Sequence, residues 1–84
     1  MEDRIKDVMS AVFEIPADQI NNESSSDSIA TWDSLKHMNL IIALEEEFNI
    51  SIPDHEVGNM ITFELIFHII NEAIVNINKG NYEY

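Results

Sequence analysis

One aspartate–serine pair lies directly before an apolar run, and it is the place where residue type and spacing favour covalent chemistry. Asp33 and Ser34 precede Leu35 in the segment TWDSLKHMNL. The first N–H groups of a helix lack intrahelical partners and its dipole favours negative charge, so a phosphate-bearing group on Ser34 would lie in favourable surroundings. Asp33 adds a carboxylate that can hold a magnesium ion shared with a phosphate donor. The alternative interpretation is that Asp33 or Ser34 is simply a helix cap.

The three histidines offer little further chemistry. His37 lies three residues after Ser34, but no triad of acid, base and nucleophile is evident, and we expect its ring at the edge of the core. His55 lies near a predicted turn and is expected to be solvated. His68 has a glutamate four residues away on each side, the spacing of a weak surface ion pair. Three separated histidines and no cysteine predict neither a metal site nor an enzyme.

The charge of the chain restricts its partners. Sixteen Asp and Glu residues oppose four Lys and Arg residues among 84, for a formal net charge of −12. Nucleic acid and anionic membranes would be repelled by such a surface, whereas a basic protein partner would be attracted to it. The sequence contains neither an apolar run of transmembrane length nor a signal peptide, so we expect a cytoplasmic protein.

The N-terminal part of the sequence predicts a helix followed by a long loop. Apolar residues three and four positions apart predict a helix that ends at about Ile15, before Pro16. The apolar face of this helix consists of Ile5, Val8, Met9 and Val12. Residues 16–33 include the turn-forming run NNESSSDS and predict a loop, which at this length is often functional. We expect it to be anchored in the core by Ile20, Ile29 and Trp32.

The C-terminal part predicts a short helix and a long one. Pro53 and Asp54 mark a turn, and one face of a marginal helix over residues 55–61 would carry Val57, Met60 and Ile61. Gly58 weakens that helix by roughly 1 kcal/mol relative to alanine. The long helix runs from Phe63 to about Ile77, and its apolar stripe consists of Phe63, Ile66, Phe67, Ile70, Ala73, Ile74 and Ile77.

Sequence signals also define both ends of this last helix. Thr62 is a suitable N-cap, and Gly80 after Lys79 is a stop signal. We expect residues 78–84 to fray.

A further helix, predicted over residues 34–48, has two apolar stripes. At 3.6 residues per turn, the better core face consists of Leu40, Ile41, Leu44 and Phe48. A second stripe, on nearly the opposite side, consists of Leu35, Met38 and Ile42. Because Asn39, Glu45 and Glu46 lie next to the second stripe, we expect it to be partly exposed and to bind an apolar and basic partner surface. The alternative is a central helix that is buried on both sides.

The segment WDSLKHMNLIIALEEEFNISIPD, residues 32–54, resembles acyl carrier proteins. The shared blocks are DSL at 33–35, ALEEEF at 43–48 and IPD at 52–54, and their spacing matches that of the family without a gap. A weaker match continues through Met60, Ile61 and Thr62 into the last helix. The first helix and the loop also fit, so the resemblance covers nearly the whole chain.

The resemblance implies an all-α fold, a small four-helix bundle of three long helices and one short helix with a long loop between the first two. It further implies a single carrier domain over residues 1–84 that bears 4′-phosphopantetheine on Ser34. A phosphopantetheinyl transferase would install the group from coenzyme A with magnesium, and its thiol would carry an acyl or aminoacyl thioester. Enzymes with basic docking surfaces would bind the partner-facing residues, Asp33, Leu35, Met38, Ile42, Glu45 and Glu46.

Some positions depart from the fatty-acid members of this family. Trp32 occupies a position where they usually have a small residue, and Lys36 and Asn39 replace residues that are often acidic. The resemblance therefore favours a specialised carrier. The start of the chain and its short tail favour a free-standing protein over a domain of a larger synthase, and we expect a monomer.

A different function class is an unmodified acidic interaction adapter or nucleic-acid mimic. The net charge alone permits it. It predicts that Ser34 is never modified, whereas the carrier interpretation requires that it is.

Overall fold

Four α-helices packed around one apolar core form the described part of the chain, residues 1–81, with side chains described through residue 77. In this computed structural model the helices are α1 (Glu2–Phe13), α2 (Ser34–Phe48), α3 (Asp54–Val57) and α4 (Phe63–Asn81). A single 3₁₀ turn at Ala17–Gln19 lies in the loop between α1 and α2. The predicted all-α fold, with three long helices and one short helix, is confirmed.

The core is built from the apolar stripes of the three long helices. Its most deeply buried side chains are Ile5, Met9, Phe13, Ile20, Leu40, Leu44, Met60, Phe63, Ile66 and Ile70. Loop residues Ile29 and Trp32 are also buried, so the three predicted loop anchors are confirmed. An ion pair of Arg4 with Glu47, 2.9 Å between Nε and Oε2, joins α1 to the end of α2.

Helix α1 ends two residues earlier than the sequence predicted. Glu14 adopts the left-handed conformation, with φ 60°, and its backbone N–H donates to the carbonyl of Ser10. The N–H of Ile15 donates to the same carbonyl, and the Ser10 hydroxyl donates to the Ile15 carbonyl. The helix is therefore terminated by this left-handed cap before Pro16 is reached.

Two hydrogen bonds, one at Ser24 and one at Thr31, hold the second half of the long loop against the helices. Phe63 N–H donates to the carbonyl of the buried Ser24 at 2.9 Å, at the start of α4. Thr31 Oγ1 donates to the carbonyl of Phe13 at 2.7 Å, at the end of α1. These contacts hold the segment that leads into α2, so that the position of Ser34 is set by α1 and α4.

Helix α3 is shorter than predicted. It covers only four residues, and Met60 is buried beyond its end, so the expectation of one helix over residues 55–61 is wrong. Ile61 is exposed instead of lining a helix face. Gly58 is the C-cap, in right-handed helical conformation with φ −69° and ψ −16°.

Helix α4 is longer than predicted. Gly80 lies inside the helix, which runs to Asn81, because glycine can also adopt helical φ and ψ; the predicted stop is wrong. The backbone of residues 78–81 is therefore helical, and residues 82–84 of the expected frayed tail lie outside the described residues. Thr62 is confirmed as the cap, since its Oγ1 accepts from Leu65 N–H at 3.1 Å.

The apolar stripe of α4 differs from the prediction at two positions. Ile69 is buried although it was not assigned to the stripe, and Ile77 is exposed although it was. Phe63, Ile66 and Ile70 are fully covered, whereas Ala73 and Ile74 are half-buried. The core thus covers the first turns of α4 more completely than the later ones.

We expect the substitution Gly58→Ala to stabilise the protein. Gly58 has helical dihedral angles, and a Cβ atom added there would meet nothing within 4 Å. Alanine restricts the unfolded chain without strain in the folded one, so the free energy of unfolding should rise by about 0.4–1 kcal/mol. Urea denaturation of the two proteins measures this difference. A decrease would show that α3 needs a more flexible end than these dihedral angles indicate.

Candidate functional site

Ser34 is the first residue of α2, and its side chain is exposed. Asp33 is the N-cap, with φ −114° and ψ −175°, and its Oδ1 accepts from the N–H of Lys36 at 2.8 Å. The capping alternative considered for this pair is thus correct for Asp33. Because Asp33 serves as the cap, Ser34 lies inside the first turn with its hydroxyl outside the capping contact.

Trp32 and His37 form the inner side of this site. Trp32 is buried and stacks on Phe13, with 4.6 Å between ring centroids, at the end of α1. Its indole Nε1–H donates to Nδ1 of His37 at 3.1 Å. The His37 ring is half-buried, as expected for the edge of the core, and its Nε2 lies 2.8 Å from the carbonyl oxygen of Val57.

Sequence reasoning placed His37 at the core boundary but missed this bridge between α2, the loop and α3. A signal was available in the sequence, since the buried indole of Trp32 needs an acceptor. The backbone partner in α3, however, depends on tertiary packing that no local pattern encodes.

The second apolar stripe of α2 is exposed. Leu35 is 69%, Met38 50% and Ile42 51% accessible, whereas Leu40, Ile41 and Leu44 on the other side are buried. The predicted division of this helix into a core face and an outer face is confirmed, and the alternative of burial on both sides is wrong. Leu65 in the first turns of α4 is also exposed, which the sequence did not predict.

The two acids assigned to the outer face differ in their surroundings. Glu46 is exposed, as expected. Glu45, which the sequence placed among the partner-facing residues, is half-buried, and its Oε2 accepts from the backbone N–H of Ile52 at 2.8 Å. Its carboxylate supports the segment before α3 and is only partly presented at the surface.

The lysine and arginine residues with described side chains lie on α1 and in the first turn of α2. Arg4 pairs with Glu47, Lys6 lies 5.5 Å from the centroid of the Phe63 ring, and Lys36 lies 3.9 Å from a carboxylate oxygen of Glu14. The sequence between Lys36 and Lys79 contains neither lysine nor arginine. The described surface contributed by α3, by α4 through residue 77 and by α2 after its first turn therefore carries carboxylates and neither lysine nor arginine of its own, and Arg4 of α1 pairs with Glu47.

Ser34 is not in a cavity of the kind that encloses a substrate. One cleft of about 870 Å³ lies between the α2–α3 connection, α3 and α4, and another of about 510 Å³ lies in the loop; Ser34 lines neither. His55 and His68 line the first cleft and are exposed, and His68 lies 3.9 Å from Glu72, the weak ion pair that the sequence predicted. An exposed hydroxyl at a helix end is accessible to modification by another protein.

The described residues lack two further features, a metal-binding cluster and a membrane-spanning helix. His, Cys, Asp and Glu do not gather there in any group of three or more that could hold a metal ion. None of the described helices is both long and apolar enough to cross a membrane.

Three comparisons with known proteins agree with this geometry. A family model described as "Phosphopantetheine attachment site" matches residues 3–60. An acyl carrier protein of Buchnera aphidicola subsp. Baizongia pistaciae is 36% identical over 74 residues, which cover 88% of this chain and 95% of the relative.

The fold is also similar to that of a solved structure. The solution structure of holo acyl carrier protein from Geobacter metallireducens superposes with a TM-score of 0.82 at 24% sequence identity, covering 93% of this chain and 90% of that one. This last similarity concerns the fold, whereas the family match and the 36% identical relative concern the sequence as well. The chain belongs to the acyl carrier protein family, whose members are phosphopantetheine-bearing carriers and not catalysts.

Proposed function

We propose that Ser34 is the residue that bears 4′-phosphopantetheine, and that the thiol of this group carries an acyl or aminoacyl chain as a thioester. The observation that supports this most strongly is the exposed hydroxyl at the first position of α2, which is left out of the capping contact because Asp33 makes it. Ser34 also lies within the segment that the family model matches.

The surroundings of Ser34 fit a phosphodiester. The first N–H groups of α2 have no intrahelical acceptors apart from the cap, and the positive end of the helix dipole favours an anion there. The nearest carboxylate in sequence, Asp33, accepts a hydrogen bond from the N–H of Lys36 with its Oδ1. A phosphate on the hydroxyl is therefore stabilised without the need for a pocket.

Attachment forms one bond and breaks one. The Ser34 oxygen attacks the phosphorus of coenzyme A that bears pantetheine, and the diphosphate bond to adenosine 3′,5′-bisphosphate breaks. The serine proton leaves to a base on the transferase. Asp33 would contribute a carboxylate oxygen to the magnesium ion that neutralises the diphosphate, as carboxylate and phosphate oxygens are the ligands that magnesium prefers.

The docking surface for partner enzymes would be the exposed stripe Leu35, Met38 and Ile42, together with Glu46 and the partly buried Glu45. Exposed apolar side chains in the centre and charges around them are the usual arrangement of an interface. Since this face lacks basic residues from position 37 onward, its partners would present lysine and arginine. The exposed apolar stripe begins at Leu35, next to Ser34, so an enzyme docked on it would lie close to the carried group.

Three sequence features support a specialised carrier that acts as a monomer. Trp32 fills the position before Asp33 and is buried against Phe13, and Lys36 brings a positive charge to a face that is otherwise acidic. Enzymes that bind this face would differ from enzymes that bind carriers with an acidic residue at position 36. A net charge of −12 opposes self-association, which supports a monomer.

Modification of Ser34 is tested by intact mass. The unmodified protein, incubated with coenzyme A, magnesium and a broad-specificity phosphopantetheinyl transferase, should gain one phosphopantetheine group, because its hydroxyl is exposed. Ser34→Ala should show no gain. Ser51→Ala is the matched control, since Ser51 is also exposed but lies outside α2, and it should be modified like the wild type.

The same experiment separates the carrier from the adapter. A mass that stays unchanged in the wild type with several transferases would contradict the assignment and favour the unmodified acidic adapter. A mass gain that persists in Ser34→Ala would show that the group is attached to another hydroxyl.

Asp33 is expected to have a structural and a chemical role that two substitutions separate. Asp33→Ala removes the cap and should lower the free energy of unfolding by about 1 kcal/mol, whereas Asp33→Asn keeps a capping oxygen and should change it little. Both should slow modification, since neither supplies a carboxylate for magnesium. Urea denaturation and the initial rate of mass gain measure the two effects. If Asp33→Asn is modified as fast as the wild type, Asp33 acts only as a helix cap.

The docking surface is tested by charge placed in its centre. Met38→Glu should raise the KM of the transferase for this protein about fivefold or more, the effect of losing over 1 kcal/mol at an interface hot spot. Val75→Glu is the matched control, because Val75 is exposed to the same 50% on α4. Equal KM values for the two variants would contradict the assigned surface, and circular dichroism checks that both remain folded.

A further inference from the structure

Helix α3 has little support of its own. It contains four residues, none of them buried, and its N-terminus has no side-chain cap. The hydrogen bond from Met60 N–H to the carbonyl of Val57, just past its end, is long at 3.3 Å. A helix of this length is not stable from local interactions alone, so its position must be set from outside.

Two side chains of α2 hold the ends of the segment that contains α3. Glu45 accepts from Ile52 N–H at 2.8 Å, two residues before α3 begins. His37 Nε2 lies 2.8 Å from the carbonyl oxygen of Val57, the last residue of α3. The flanking side chains of Ile52 and Met60 are buried, and Val57 of α3 is half-buried against the core, so the segment is anchored by these apolar residues and by polar contacts at its ends.

The partners of His37 determine where its proton lies. An indole N–H can only donate, so Nδ1, which receives the Trp32 hydrogen bond at 3.1 Å, must present a lone pair. A carbonyl oxygen can only accept, so the nitrogen that faces Val57 must carry hydrogen. The ring is therefore neutral and protonated on Nε2, and both of its nitrogens are in hydrogen bonds.

This ring joins three segments beside the attachment position. Trp32 comes from the loop and stacks on Phe13 of α1, His37 lies one turn after Ser34 on α2, and Val57 belongs to α3. No other side-chain hydrogen bond described between residues 1 and 77 links the first turns of α2 to the backbone of α3. Loss of the His37 ring would therefore remove the hydrogen bonds to α3 and to the indole together.

We propose that His37 is a positioning residue that holds α3 against α2 in its Nε2-protonated form, so that the position of α3 depends on a side chain one turn from Ser34. The consequence for a carried chain rests on the carrier function proposed above. The contact itself is a property of the unmodified protein, and it is there that it can be tested.

The test uses hydrogen exchange on the unmodified protein. In His37→Ala the backbone amides of Asn59 and Met60 should exchange roughly three- to tenfold faster than in the wild type, the value of one or two net hydrogen bonds. The amide of Ile66, which donates to Thr62 within the start of α4, should keep its rate and serves as the internal reference. Equal rates for Asn59 and Met60 in the two proteins would overturn the proposal.

Two conservative variants separate the contacts of the ring. His37→Gln places a donor near the position of Nε2 and should recover most of the protection of Asn59 and Met60. His37→Asn places an acceptor near Nδ1 and should keep the Trp32 contact but not that protection. His68→Gln is the matched control, because His68 is an exposed histidine on α4 and should leave all these rates unchanged. The same protection in the glutamine and asparagine variants would also overturn the proposal.

A spectroscopic measurement on the wild type does not depend on any variant folding. Imidazole ¹⁵N shifts should show a protonated Nε2 and an unprotonated Nδ1 in His37. A ring protonated on Nδ1 instead would contradict the assignment. Failure of this test leaves the modification of Ser34 intact, and failure of modification leaves these exchange rates as they are, so the two proposals are distinguishable.

Discussion

The hydrogen bond from the N–H of Lys36 to Asp33 is the local contact on which the proposed chemistry depends. Serine and aspartate are both good helix caps, and either residue of this pair could have taken that position. Because Asp33 takes it, Ser34 becomes the first helical residue, exposed and close to the free N–H groups of α2. A serine in the capping position would have had its oxygen directed at the backbone. A shift of one residue at the end of the loop thus decides whether the hydroxyl caps the helix or is available to an enzyme.

The loop before Asp33 is what fixes that register. Trp32 is buried on Phe13, and Thr31 donates to the Phe13 carbonyl, so the residues just before the cap are held against the end of α1. The unusual length of the loop between α1 and α2 therefore has a structural use. A hydrogen bond from the N–H of Phe63 to the carbonyl of Ser24 holds the polar part of the loop against the start of α4. The last residues of the loop then place Ser34 in one fixed position.

Periodicity predicted the long helices and their faces because each buries a continuous stripe. The two faces of α2 were predicted correctly, since Leu40 and Leu44 are buried while Leu35 and Met38 are exposed. The exposure of Ser34 followed from its position at a helix start. The errors occur where local pattern and tertiary structure compete: α1 ends at a left-handed Glu14 before its proline, and α3 is too short to follow any helical period. The link from His37 to the carbonyl of Val57 joins residues 20 apart, and no spacing rule predicts it.

Helix α2 therefore combines three tasks on different faces. Its buried stripe contributes to the core, its exposed stripe would dock partners, and the polar side chains between them, His37 and Glu45, hold the segment around α3. The third task relies on a few hydrogen bonds, each worth about 1 kcal/mol net, whereas the first relies on deeply buried apolar side chains worth roughly 1.5–3 kcal/mol each. The position of α3 itself thus depends on weaker contacts than the packing of the long helices does. One of these polar contacts, from His37, lies one turn from Ser34, so on the proposed assignment the weakly held helix would lie close to the carried group.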